Sequence, residues 1–280
     1  MRRQLDVRQP FQFGWEVPES GYRYERSVVL DEHLRSSQKK ELMLIDPTPV
    51  GISHMVKRHR TMKENSGLFI HFACVDPTPD GILVFANQYG SLGGKLTQMV
   101  IVGKSNAKEK PMHRGEAIAA WSREIIQVRR LLQIWHSDSK PEVKFKTTPE
   151  SIFAEWESGS EAVVFRATDA DTYERLKDNT SEIAQHYLRT KVNAKLLEHP
   201  ATARLIHDKA HGALALFIVP SSLISAIWLQ FAMAIDGDRN YRSCKNCGKW
   251  FEVGGSARRV DAEACSPSCR AAFAYRKGKK

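Results

Sequence analysis

The chain has 280 residues, 42% of them hydrophobic, with six Trp and twelve Phe, so it can bury a substantial core, and its composition excludes intrinsic disorder. Its formal net charge is +10, and residues 241–280 carry ten basic and three acidic side chains, so +7 of that total lies in the last forty residues. Positive charge concentrated in this way favours polyanionic partners, nucleic acid before acidic membrane surfaces.

Residues 1–16 (MRRQLDVRQPFQFGWE) contain no apolar run of the kind a signal peptide needs, which points to a reducing cytoplasm. Tyr22–Leu30 reads as a strand, and Pro47 and Pro49 as a loop. Met55–Lys63 (MVKRHRTMK) reads as the solvent face of a helix, with Lys57, Arg58, Arg60 and Lys63 as possible phosphate contacts. Leu68–Phe72 is the apolar part of a helix or strand, and Cys74 beside it reads as an inert buried thiol. A short helix follows. Thr78 suits its N-cap, Pro79 its first position and Asp80 its first turn, while Ile82, Leu83, Phe85 and Ala86 give an apolar face that Gly90 ends.

Gly103–Arg114 is polar and basic, and reads as a loop. Glu116–His136 reads as the longest helix, with Ile118, Trp121, Ile125, Val128, Leu131, Leu132 and Trp135 on one buried stripe, the two Trp as core. Ser137–Pro149 is a linker or strand edge, Ala162–Ala167 a strand, and Thr180–Glu198 an amphipathic helix with Ile183, Tyr187, Leu188, Val192, Leu196 and Leu197 inward. Thr202–Ile206 and Leu214–Val219 form a hairpin with Gly212 near its turn. Ala213–Ile235 holds no charge, but Pro220-Ser221-Ser222, Ser225 and Gln230 interrupt it. It therefore reads as a buried strand and then a buried helix from Pro220 to Ile235, closed by Gly237, rather than a membrane span.

The motif that carries chemistry is CKNCGKWFEVGGSARRVDAEACSPSC: a C-x2-C pair, seventeen residues, then a C-x3-C pair. One tight turn presents two thiolates to one ion, and Gly248 lets that turn close on amides that donate to sulfur. Phe251–Val253 fits a strand turning at Gly254-Gly255-Ser256, and Ser266-Pro267 fits the start of a helix whose N-terminus favours nearby thiolates. No histidine follows His211, so Cys244, Cys247, Cys265 and Cys269 are expected to hold a structural Zn2+ in a closed, four-sulfur site. Beyond Cys269, Arg270, Arg276 and Lys277 interleave with Phe273 and Tyr275, a pattern suited to phosphate contact and base stacking. Phe273 and Trp250 are expected to pack on the finger.

This segment resembles the CGNR-type zinc fingers of bacterial proteins and, more broadly, treble-clef fingers. The likeness rests on a cysteine pair followed by Gly248, on Trp250-Phe251, on Arg258-Arg259, on Cys265-Ser266 and Cys269-Arg270, and on the basic Tyr275-Arg276-Lys277 end. The family has C-x3-C where this chain has C-x2-C, and its C-G-N-R tetrad is here Cys269-Arg270-Ala271-Ala272. The resemblance implies an α-rich domain ahead of the finger, and DNA binding or transcriptional regulation.

Signals for catalysis are weak. His207 and His211 (HDKAH) lie four apart but in a hairpin, and the Glu of an HExxH pattern is missing. No Walker A loop, GxSxG elbow or dinucleotide fingerprint occurs. The sequence thus predicts a helix-dominated α+β protein with an α-rich domain over 1–240, an internal boundary near 137–149, and a zinc module over 241–280. The expected function is cytoplasmic nucleic-acid binding, DNA ahead of RNA, through Arg258, Arg259, Arg270, Arg276 and Lys277. The alternatives are an adaptor that docks an acidic protein, and an enzyme in the first 240 residues around His54 or His207. In the nucleic-acid reading the larger N-terminal part would sense a ligand or protein partner, or form a homodimer.

Overall fold

Strands and helices alternate throughout the computed structural model, which describes residues 14–29, 40–52, 56–60, 67–102, 111–135, 143–208, 212–237, 240–247, 250–254 and 259–277. Strands β1 (Gly14–Pro18), β2 (Arg23–Val29), β3 (Lys40–Pro49) and β4 (Val56–Arg60) lead into helices α1 (Leu68–Ala73) and α2 (Pro79–Tyr89). Next come β5 (Thr97–Ile101), β6 (Met112–Ala117) and the helix α3 (Ile118–Trp135). The chain continues through β7 (Val143–Thr148), β8 (Ser151–Trp156), β9 (Glu161–Arg166), α4 (Ala170–Leu176) and α5 (Thr180–Glu198). It ends with β10 (Ala201–Asp208), β11 (Ala213–Pro220), α6 (Leu223–Asp236), β12 (Asn240–Ser243), β13 (Trp250–Val253) and α7 (Pro267–Lys277).

The expected helix dominance is overturned. Among the described residues, thirteen strands in five antiparallel sheets stand beside seven α-helices, so the fold is α+β with neither class prevailing. The strands that escaped notice are short or polar. The basic run, expected as a helix face, is β4, paired with β1 from Gly14↔Arg60 to Pro18↔Val56. Met112–Arg114, expected as loop, belongs to β6, and residues 103–110 lie outside the described residues. Pro47 and Pro49, expected as loop, lie inside β3, where the register shifts between Ile45 and Pro49 and spares the ladder an amide there.

Two units divide the chain: residues 1–125 with 199–280, and residues 126–198. In the first unit, β2-β3-β6-β5 close into a four-stranded ring around Met43, Ile45 and Val100. Its helical core is aromatic. Phe69 of α1 stacks on Phe231 of α6 at 5.3 Å, and Phe72 meets Trp121 of α3 at 6.1 Å. No side chain caps α1 at Gly67; instead the buried Gln230 of α6 accepts the Phe69 amide at 3.2 Å. Helix α2 begins as expected, with Thr78 accepting from the Gly81 amide, and ends at Gly90 with φ 92°. Glu116, completely buried on β6, accepts from the Leu92 amide (3.0 Å), the Gly93 amide (2.6 Å), the Thr97 hydroxyl (2.9 Å) and Trp121 Nε1 (2.8 Å). It ties the Gly90–Leu96 connection to the start of α3.

Helix α6 starts at Leu223 rather than Pro220, because Ser222 caps it and Pro220 ends β11. Cys74 is exposed rather than buried: it is the C-cap of the short α1, just past the residues that face the core. Among the described residues, no helix is long and apolar enough to cross a membrane.

The second unit is a β7-β8-β9 meander with α4, α5 and the later turns of α3. Arg130 lies 4.9 Å over the ring of the buried Trp156. Helix α5 keeps its expected bounds and buries Ile183, Tyr187, Leu188 and Val192, but Leu197 is 81% exposed, one position off the stripe that Val192 and Leu196 continue.

Candidate metal centre

The first cysteine pair sits in the connection of a hairpin. Strand β13 pairs with β12 upstream, from Asn240↔Val253 to Ser243↔Trp250, and most of the turn expected at Gly254-Gly255-Ser256 lies outside the described residues. This register brings the ends of β12 and β13 together, with Cys244 directly after β12 and Cys247 in the turn that follows it. Cys244 is buried against Phe251, Val253 and Ala264. Cys265 lies in the loop ahead of α7, which is held to the hairpin by the Lys245 amide donating to the Glu263 carbonyl at 2.9 Å and by an ion pair between the side chains of the same two residues.

Helix α7 places the last ligand. Ser266 is its N-cap and accepts the Cys269 amide at 3.1 Å, with Pro267 in the first position, as the sequence predicted. Cys269 therefore sits in the first turn, where the helix dipole favours a thiolate.

All four Sγ atoms lie within 4.8 Å of one another, and Cys265 Sγ is 3.6 Å from both Cys247 Sγ and Cys269 Sγ. A disulfide would set two sulfurs about 2.05 Å apart. Sulfurs about 2.3 Å from a shared tetrahedral ion stand about 3.8 Å from one another. The observed spacing is that of four ligands around one ion, and the residues present can hold one.

The surroundings supply donors to sulfur. The Cys265 amide donates to Cys244 Sγ at 3.4 Å, and Asn246 Nδ2 to Cys269 Sγ at 3.3 Å. Burial raises the Cys244 thiol, but the amides of Cys247, Cys265 and Asn246 outweigh it and bring it down to about 6. Burial and the surrounding sulfurs push Cys265 up to about 12. The Ser266 hydroxyl and the Asn246 amide lower Cys269. A cation bound among the four sulfurs would favour the thiolate form of each.

The basic side chains expected to face phosphate are divided by the structure. Arg270 is exposed on α7 and has no ion-pair partner among the described residues. Arg259 makes a two-point pair with Asp261, both contacts at 3.0 Å, and Arg276 donates to the Asn246 carbonyl at 3.2 Å. Arg258, Gly248 and the side chains of Lys277 and Trp250 lie outside the described residues. Phe273 is half-buried, with Lys245 Nζ 5.9 Å from its ring centroid. Arg259, Arg270, Phe273 and Pro267 line a cleft of about 500 Å³ together with Asp261 and Glu263. Of the histidines weighed for catalysis, His207 is exposed on β10, and His54 and His211 lie outside the described residues.

Sequence reasoning missed Asn246, whose signal was its place between two ligands, where an amide can reach sulfur. It also missed Tyr241, whose ring meets Phe69 at 5.3 Å and seats the hairpin against α1. No family model matches the chain, and no curated protein or solved structure matches it significantly.

Proposed function

We propose that the four cysteines hold a structural Zn2+ and that the folded finger binds nucleic acid, DNA before RNA, as part of a bacterial transcriptional regulator. The four-sulfur set with no open position favours zinc in a structural role. The observation that carries the reading is the spacing of the sulfurs beside the exposed Arg270, in a segment holding +7 of the net +10 charge. Phe273, at the edge of the same cleft, offers a ring on which a base can stack. The resemblance of residues 244–277 to CGNR-type fingers supports the same reading.

The test is fluorescence anisotropy of the zinc-loaded protein with labelled duplex DNA and single-stranded RNA across a salt series. Micromolar or tighter binding that weakens steeply with salt is expected, with Arg270→Glu weakening it at least tenfold at low salt. Absence of binding at low salt overturns the reading. The mixed lining of the cleft, with Asp261 and Glu263 beside two arginines, favours a second reading in which the finger docks a protein segment. Capture of a protein partner at salt that abolishes nucleic-acid binding would select it.

A further inference from the structure

The β10–β11 hairpin leaves an apolar surface uncovered. Its base packs on α6, where Ile218 joins Ala226, Leu229 and Met233, and Phe217 is buried. Beyond that base Leu205, Leu214 and Leu216 are 64%, 65% and 62% exposed. They share a face, because Leu205 pairs with Leu216 and Leu214 with His207. Three leucines this exposed on one hairpin face mark a contact surface rather than scattered surface residues.

The hairpin's free edge is β10. Thr202, Ala203, Arg204 and Leu205 are all exposed, whereas β11 buries Phe217 and half-buries Ile218 and Val219. Among the described residues β10 pairs with β11 and with no other strand. An open edge of this length is a template for another strand.

We infer that a second copy of this chain covers it, β10 pairing antiparallel with its own counterpart about a two-fold axis through Ile206. In this register the charge pattern of the strand is self-complementary. With Ile206 opposite itself, residue 204, an arginine, faces residue 208, an aspartate, on both sides of the axis. Moving the axis to residue 204 would oppose two arginines. Pairing through Ile206 makes a four-stranded sheet whose one face carries two neighbouring rows: Leu216, Leu205, then the second copy's His207 and Leu214, and the symmetric row beside it. Each Leu205 then has a lateral neighbour on both sides instead of one, and six leucines form one cluster.

The test is sedimentation velocity of the full-length, metal-loaded protein from nanomolar to high micromolar concentration. A reversible dimer is expected. Arg204→Asp and Asp208→Arg each oppose like charges across the axis, and each should raise the dimer dissociation constant tenfold or more. The combined R204D/D208R protein restores opposite charges and should return to within about threefold of the parent. Circular dichroism and metal content should be the same in all four proteins. A protein that is monomeric at every concentration overturns the inference, as does a dimer indifferent to the single reversals or one the double reversal fails to restore.

Discussion

Tyr241 of β12 meets Phe69 of α1 edge-on, with centroids 5.3 Å apart and planes at 88°, while Phe231 of α6 stacks on Phe69 at 5.3 Å. One aromatic ring thus serves both the helical core and the metal-binding hairpin. Tyr241→Ala should cost about 1–2 kcal/mol, the value of an edge-to-face pair and some apolar burial. Metal content should stay at the parental level while limited proteolysis near residues 237–243 becomes faster. Loss of metal from this variant would show that Tyr241 shapes the ligand loop itself.

Asn246 lies between two ligands without being one. Its side-chain amide donates to Cys269 Sγ at 3.3 Å, and its main-chain carbonyl accepts from Arg276 at 3.2 Å. Asn246→Ala should weaken metal affinity about tenfold to a hundredfold, the usual effect of an outer-shell donor to a ligand, with the site still filled at saturating metal. Cys247→Ser, which removes a ligand, should release the metal and unfold residues 240–277, because binding and folding of such sites are linked. Competition with a chromophoric chelator separates the two outcomes.

Glu116 accepts four hydrogen bonds in the core. A glutamine there turns an amino group toward donors, so Glu116→Gln should cost about 1–3 kcal/mol. Burial is the largest influence on this carboxyl and, against the donors, holds it above the ordinary glutamate range. The folded chain therefore binds this proton more tightly than the unfolded chain. The stability it contributes is complete below the ordinary glutamate range and is lost as pH rises through the raised value. Urea denaturation from pH 4 to 8 should show parental stability falling relative to Glu116→Gln over that window. Parallel profiles for the two proteins would contradict the assignment.

Gly81 offers a test of close packing. Alanine inside a helix normally stabilises it by about 1 kcal/mol over glycine. A Cβ on Gly81, however, would overlap the Asp76 carbonyl oxygen, a backbone atom with little freedom to yield. Gly81→Ala should therefore destabilise, by about 1–3 kcal/mol in thermal or urea unfolding, and a stabilised variant would show that the turn before α2 shifts freely.

The sequence disclosed structure wherever local chemistry decides it. Thr78, Pro79 and Gly90 bounded α2, the apolar stripe bounded α5, and Ser266 with Pro267 started α7. It failed where pairing partners decide. Val56–Arg60 carries too much charge to look like a strand, and becomes one by lying against β1. Asn240–Ser243 is too short to carry a pattern, so the strand that pairs with Trp250–Val253 went unseen. Glu116 looked like the first residue of a helix; its four donors come from residues 92 to 121, and no sequence period brings them together. The cysteines were legible because the spacing within each pair is that of two ligands to one ion, whatever fold then joins the pairs.

The four sulfurs differ in their access to solvent: Cys244 is buried, Cys265 and Cys269 are half-covered, and Cys247 is exposed. For any ion held among them, the way in and the way out therefore run past the same sulfur. A chelator, a competing thiol or an oxidant meets Cys247 before the others, while Cys244 stays sealed against Phe251 and Val253. Exchange of such an ion should then begin at Cys247, with the other three sulfurs released after it.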